Sequence, residues 1–155
     1  FTGFKWDGDD PSRKVQTRYT CFPSYVLKDM ADRAARFFLP TAKTEPAAIV
    51  HGILDLASHR AGPREFLYFE ANEAGTGRSS FSINLYRAGL RMAEAYPLLL
   101  DMTRYYAIPK DAFHRVYEAS KTQILGNVAG GIDRQGRDFL TFYYARKGSS
   151  RKGKP

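Results

Sequence analysis

The cleanest alternation of apolar and polar positions falls at Phe81-Ser82-Ile83-Asn84-Leu85-Tyr86. Side chains of a strand point alternately to its two faces, so Phe81, Ile83 and Leu85 share one face and Ser82, Asn84 and Tyr86 the other. The final apolar run repeats the pattern: Leu140 and Phe142 on one side, Thr141 and Tyr143 on the other. Near the start, Thr17, Tyr19 and Cys21 oppose Gln16, Arg18 and Phe22, and neither side reads as the core. In an open sheet the polar face of 81–86 meets water; in a closed barrel wrapped by helices it lines the lumen. The alternation fits both.

These runs and the turn signals between them predict an element order. Residues 1–6 and 15–22 form a first hairpin around the turn at 7–12. A helix is expected over 24–38, with Ser24 as N-cap and Val26, Met30, Ala34 and Phe37 at helical spacing; Pro40 ends it. A second helix is expected over 46–58, with Pro46 in its first turn and Ile49, Ile53 and Leu56 on one side. Strands at 65–72 and 80–87 flank a Gly-containing turn. Helices at 92–106, interrupted by Pro97, and at 109–120 follow. The last hairpin pairs 123–132 with 138–145. The implied fold class is α+β with a repeating α-β-β-α unit.

Composition narrows the partners. Twenty-four Lys and Arg against sixteen Asp and Glu leave a net charge of +8, which favours anionic partners. Five of those cations lie in the last ten residues with no acid among them, so 147–155 reads as a basic disordered tail behind one domain at 1–146. Ten Tyr and eleven Phe suit a cavity that is apolar yet places hydroxyl groups. Cys21 is the single cysteine, which excludes an intrachain disulfide and fits a reducing, cytoplasmic setting. No apolar run approaches the length of a membrane span. His51, His59 and His114 have no metal-ligand spacing, and Gly126, Gly130 and Gly131 open no helix, so they suggest a bulge or a close backbone approach instead of a dinucleotide loop. The chain begins within an apparent strand, at Phe1-Thr2-Gly3-Phe4, and so reads as a piece of something longer.

Three segments carry a family likeness. Phe1-Thr2-Gly3-Phe4-Lys5-Trp6-Asp7 with 11–23 (PSRKVQTRYTCFP) resembles a hairpin that ends in a basic-x-Tyr strand. Leu67-Tyr68-Phe69-Glu70 with 82–87 (SINLYR) resembles a hairpin ending in Lys-x-Tyr. The run 136–144 (GRDFLTFYY) resembles a closing strand that ends in a Tyr pair. Together they resemble the C-terminal three of five units in aromatic prenyltransferases of the dimethylallyltryptophan synthase type. This resemblance implies that the α-β-β-α units form an antiparallel β barrel, or part of one, with helices outside.

The resemblance implies transfer of a dimethylallyl group from its diphosphate to an electron-rich ring such as indole, in secondary metabolism, without an essential Mg²⁺ or other cofactor. The enzyme must neutralise the departing diphosphate with Lys and Arg and shield the allyl cation with stacked Tyr rings. Carried over by position, Tyr19, Tyr86 and Tyr143 (or Tyr144) belong to the tyrosine shield, and Ser82 shares their face. Asn84 and Thr17 stand where the family usually has a Lys, a departure that puts the usual chemistry in doubt; Arg13, Arg18, Arg87 or Arg134 are the compensating cations. Glu70 is a local acidic candidate if it and Tyr68 face inward. The expected partners are a prenyl diphosphate, an aromatic small molecule and the rest of the barrel, from upstream sequence or another chain, and no membrane. The competing expectation is a basic, ferredoxin-like α+β module that binds RNA, although the basic-Gly-aromatic-Gly-aromatic consensus is missing. A third is a non-catalytic structural subunit.

Overall fold

The computed structural model describes residues 1–6, 14–23, 25–39, 43–62 and 64–145. Six strands run in sequence order as one antiparallel sheet: β1 (Thr2–Trp6), β2 (Lys14–Phe22), β3 (Leu67–Glu73), β4 (Ser79–Asn84), β5 (Ile124–Ile132) and β6 (Asp138–Ala145). Helices α1 (Leu27–Arg36) and α2 (Glu45–Ser58) connect β2 to β3, and α3 (Tyr96–Tyr105) and α4 (Lys110–Ser120) connect β4 to β5. The hairpin connections therefore gather at one end of the sheet and the helical ones at the other. The sheet is open: β1 and β6 are its edges. Because every strand neighbours the next in sequence, the order contains no crossover, which differs from the ferredoxin-like β-α-β-β-α-β arrangement.

The hydrophobic pattern decides which face the helices cover. Tyr68, Phe81, Ile83 and Val128 point to one side and are almost completely buried. They meet Met30 and Ala34 of α1, Val50, Ile53, Leu54 and Ala57 of α2, and Leu99 of α3 in a single core. Tyr68 stacks on Phe81 with centroids 6.2 Å apart, and Phe38 meets Phe81 edge-on. Pro46 sits in the first turn of α2, where a missing N–H costs nothing. No helix among the described residues is long and apolar enough to cross a membrane.

Several boundaries differ from the sequence expectation. The helix predicted over 24–38 starts at Leu27, and residue 24, its expected cap, lies outside the described residues. The helix predicted from 92 begins at Tyr96, with Pro97 in its first turn, where proline is tolerated. The strand predicted over 80–87 ends at Asn84: Leu85 turns the chain, and Tyr86–Ala88 form one 3₁₀ turn capped by Gly89 at φ 59°. The turn at 7–12, the tail at 147–155 and Arg13 lie outside the described residues.

Two glycines in β5 permit its close packing. A bulge falls between Leu125 and Asn127, and a Cβ on the intervening Gly126 would sit 2.3 Å from the Tyr86 ring. Gly131 holds φ 151°, and a Cβ there would lie 2.2 Å from the Ser79 carbonyl oxygen. Position 131 admits only glycine, and position 126 takes a side chain only if the Tyr86 ring moves.

Candidate functional site

The sheet face away from the helices is the candidate site, and strand register assembles it. Tyr19 pairs with Ala71, Ala71 with Ser80, Ser80 with Gly131, and Gly131 with Phe139. One step along, Cys21, Phe69, Ser82, Ala129 and Thr141 form the next row, and Leu67, Asn84, Asn127 and Tyr143 the one after. Residues opposite each other in a ladder share a face. Rings and small polar groups thus surround a hollow of about 280 Å³, lined by Tyr19, Phe69, Ser80, Ser82, Asn127, Phe139 and Tyr143 among others. The small residues Ala71, Ser80, Ser82 and Ala129 form its floor, with larger rings round them. The Tyr19 ring is fixed by Phe1, stacked on it at 4.7 Å, and by Gly3, above which a Cβ would come within 3.0 Å of that ring.

A charged cluster closes the hairpin end of this face. The Glu73 side chain is only 2% exposed, and it accepts hydrogen bonds from Lys5 Nζ at 2.9 Å, Arg134 Nε at 2.8 Å, Arg78 Nη1 at 3.1 Å and Thr76 Oγ1 at 3.3 Å. Burial alone would raise its pKa; the hydrogen bonds from Arg134 and Lys5 outweigh that and hold it at about 2. Three cations against one carboxylate leave the cluster at +2. Lys5, Arg78 and Arg134 are each partly exposed, at 47%, 37% and 48%, and the guanidinium and ammonium groups keep donors beyond those spent on Glu73. Thr17, paired with Glu73 across the ladder, is 1% exposed, and its Oγ1 has no hydrogen-bond partner among the described residues. The Arg78 side chain reaches both this cluster and the hollow.

The structure sorts the sequence candidates. Tyr19, Ser82, Asn84 and Tyr143 share the open face by register, and Thr17 lies beside the Glu73 cluster. Tyr86 does not continue the strand as expected; it is carried by the 3₁₀ turn, with its N–H donating to Asn84 Oδ1 at 3.2 Å and its ring over Gly126. Arg18 lies in the opposite ladder row, level with Asn72 and Ser79 on the helix side. Arg87 is exposed in the 3₁₀ turn. Arg134 lies in the turn between β5 and β6 and reaches from there to Glu73. Glu70 and Tyr68 face the helices, not the hollow: Arg33 of α1 donates to Glu70 at 2.5 and 3.1 Å, and the Tyr68 hydroxyl donates to it at 3.3 Å. Burial pushes the Tyr68 phenol far up. The Arg33 guanidinium also lies 4.8 Å from the Phe22 ring centroid.

Sequence reasoning missed Glu73, Lys5, Arg78, Phe69, Asn127 and Phe139. Phe69, Asn127 and Phe139 carry the same parity as Tyr19 and Ser82 once register is known, and Asn127 is the lone polar side chain in an apolar and glycine run. Glu73 reads as a turn residue from sequence, and its three cations come from positions 5, 78 and 134, which no local pattern links.

No family model matches this chain, and no curated protein or solved structure was found similar to it.

Proposed function

We propose that this chain binds an allylic diphosphate on the open sheet face and transfers the allyl group to an electron-rich aromatic ring. The observation that carries the reading is the Lys5, Arg78 and Arg134 cluster bordering a hollow floored with small residues and walled with Tyr19, Phe69, Phe139 and Tyr143. A diphosphate needs several cations at once, and an allyl chain needs apolar and aromatic walls.

In this reading the diphosphate meets Arg78, Arg134 and Lys5, with the Thr17 hydroxyl close by. The allylic C–O bond breaks and its electron pair leaves on the diphosphate. The carbocation is held against the rings of Tyr19, Phe69 and Tyr143, and a carbon of the acceptor ring supplies the pair for the new C–C bond. The ring proton is then lost to water. Ser82, Asn84 and Asn127 are the hydrogen-bonding groups available to orient the acceptor. The basic residues that the family resemblance implies at Thr17 and Asn84 are replaced, in this scheme, by cations from the hairpin end. The sheet supplies one wall of a lumen, and a closed barrel would supply the other.

The test is incubation of the protein with dimethylallyl diphosphate and a panel of indoles and phenols, with product read by mass spectrometry. Prenylated product is expected, and Arg78→Ala or Arg134→Ala is expected to lower turnover by tenfold or more, on the order of one lost charge-assisted contact. Arg137→Ala, whose partner is Asp133, is expected to retain it. Folded protein that yields neither a prenylated ring nor released diphosphate with any acceptor overturns the reading.

A further inference from the structure

The six strands form a slanted strip whose edge strands, β1 and β6, each pair with a single neighbour among the described residues. One continuous row crosses the sheet: Thr2, Arg18, Asn72, Ser79, Ile132 and Asp138. Measured from that row, β1 extends only toward the hairpin end, with its middle residue Phe4 two positions up. β6 extends only the other way, with its middle, between Thr141 and Phe142, three and a half positions down. The strand centres therefore drift by about five and a half residues over five steps, or about one residue per strand. An eight-stranded barrel with a shear of eight and a tilt of about 36° has the same stagger of one residue per strand, so the strip already carries the stagger that closure requires.

We infer that two copies of this chain close face to face into a twelve-stranded antiparallel barrel, β6 of each copy pairing with β1 of the other. Three observations choose a second copy as the occupant of these edges. With an even number of strands, β1 and β6 run in opposite directions, so a two-fold axis along the barrel makes both junctions antiparallel. At one residue per strand, twelve strands need a shear of about twelve, or about six at each junction, which is the offset between the two edges. A six-residue offset is even, so each side chain stays on its own face, and it sets Phe4 of one copy opposite Phe142 of the other, Trp6 opposite Leu140, and Thr2 opposite Tyr144. Those partners are apolar or aromatic, and Phe4 and Trp6 are 47% and 63% exposed in the single chain. Each open face then looks into a shared lumen, wider than the interior that eight strands leave.

Backbone geometry supplies a specific perturbation. Phe1 and Tyr19 exchange both backbone hydrogen bonds, at 2.8 and 2.9 Å. By alternation, the N–H groups of Thr2, Phe4 and Trp6 point away from β2, toward the bare edge. Phe4→Pro thus removes a donor that only the junction uses.

The experiment is light scattering on the purified chain at micromolar concentration, with Phe4→Pro beside it. A mass of twice 17.5 kDa is expected for the unmodified protein, and a single-copy mass with unchanged far-ultraviolet circular dichroism for Phe4→Pro. The Phe4→Cys/Phe142→Cys variant in a Cys21→Ser background is expected to form a reducible covalent dimer on oxidation. A single-copy mass for the unmodified chain overturns the proposal, as does a dimer that fails to cross-link at this pair. Neither readout depends on prenyl transfer, so failure of that activity and failure of this assembly are separable.

Discussion

Replacing Glu73 by Gln removes one charge and keeps the shape of the side chain, so it isolates what the buried carboxylate does. Its pKa is held at about 2 against an ordinary value of 4.5. That difference of about 2.5 units corresponds to roughly 3 kcal/mol of folding stability at neutral pH, and the partial exposure of Lys5, Arg78 and Arg134 reduces it to about 2 kcal/mol. For a chain of this length, that loss lowers the melting temperature by about 4–8 °C. The sign of the pH dependence follows from the lowered pKa: the stabilisation is fully present above pH 4.5 and is lost as pH falls toward 2, because the unfolded chain takes up the proton first. Urea denaturation of both proteins at pH 7 and pH 3 provides the measurement. Other carboxylates titrate in both, so the difference between the two proteins is the quantity to read. That difference should shrink by about half or more between the two conditions. Equal stability at pH 7, or a gap that stays constant on acidification, would refute the reasoning that this carboxylate is stabilised by its three cations.

Other substitutions probe the remaining packing claims. Arg33→Ala strips the cation from Glu70, which is 7% exposed, and should cost about 3 kcal/mol or more in chemical denaturation. Phe81→Ala empties the space between Tyr68, Phe37 and Phe38 and should cost about 3–5 kcal/mol by the same measurement. Gly131→Ala drives a methyl group into the backbone of β4; loss of the cooperative unfolding transition, or a large fall in its midpoint, is the expected calorimetric result. Gly126→Ala meets only the Tyr86 ring, which can swing aside, so a smaller cost of about 1–3 kcal/mol should appear together with altered tyrosine fluorescence.

What the sequence by itself determined is the order of strands and helices and, for β4 and β6, which side chains share the apolar face. Alternation at Phe81 to Asn84 marks the core side because each apolar side chain lost to water destabilises the fold, and local spacing records that requirement. Pro46, Gly126 and Gly131 were also legible, since each marks a backbone constraint acting within a few residues. Tyr86 was misread because its alternation continues past Asn84, while the chain turns at Leu85 for reasons of packing against β5. The charged cluster was beyond reach of any local pattern: Lys5, Arg78 and Arg134 converge on Glu73 through the register of β1 to β6, and separations of 68, 5 and 61 residues leave no periodic trace. The same holds for the orientation of Glu70, which only the docking of α1 and Arg33 decides. Which side chains share a face is a short-range property of the backbone; which of those faces holds charge together is set by pairing across the sheet, and that exists only in the folded chain.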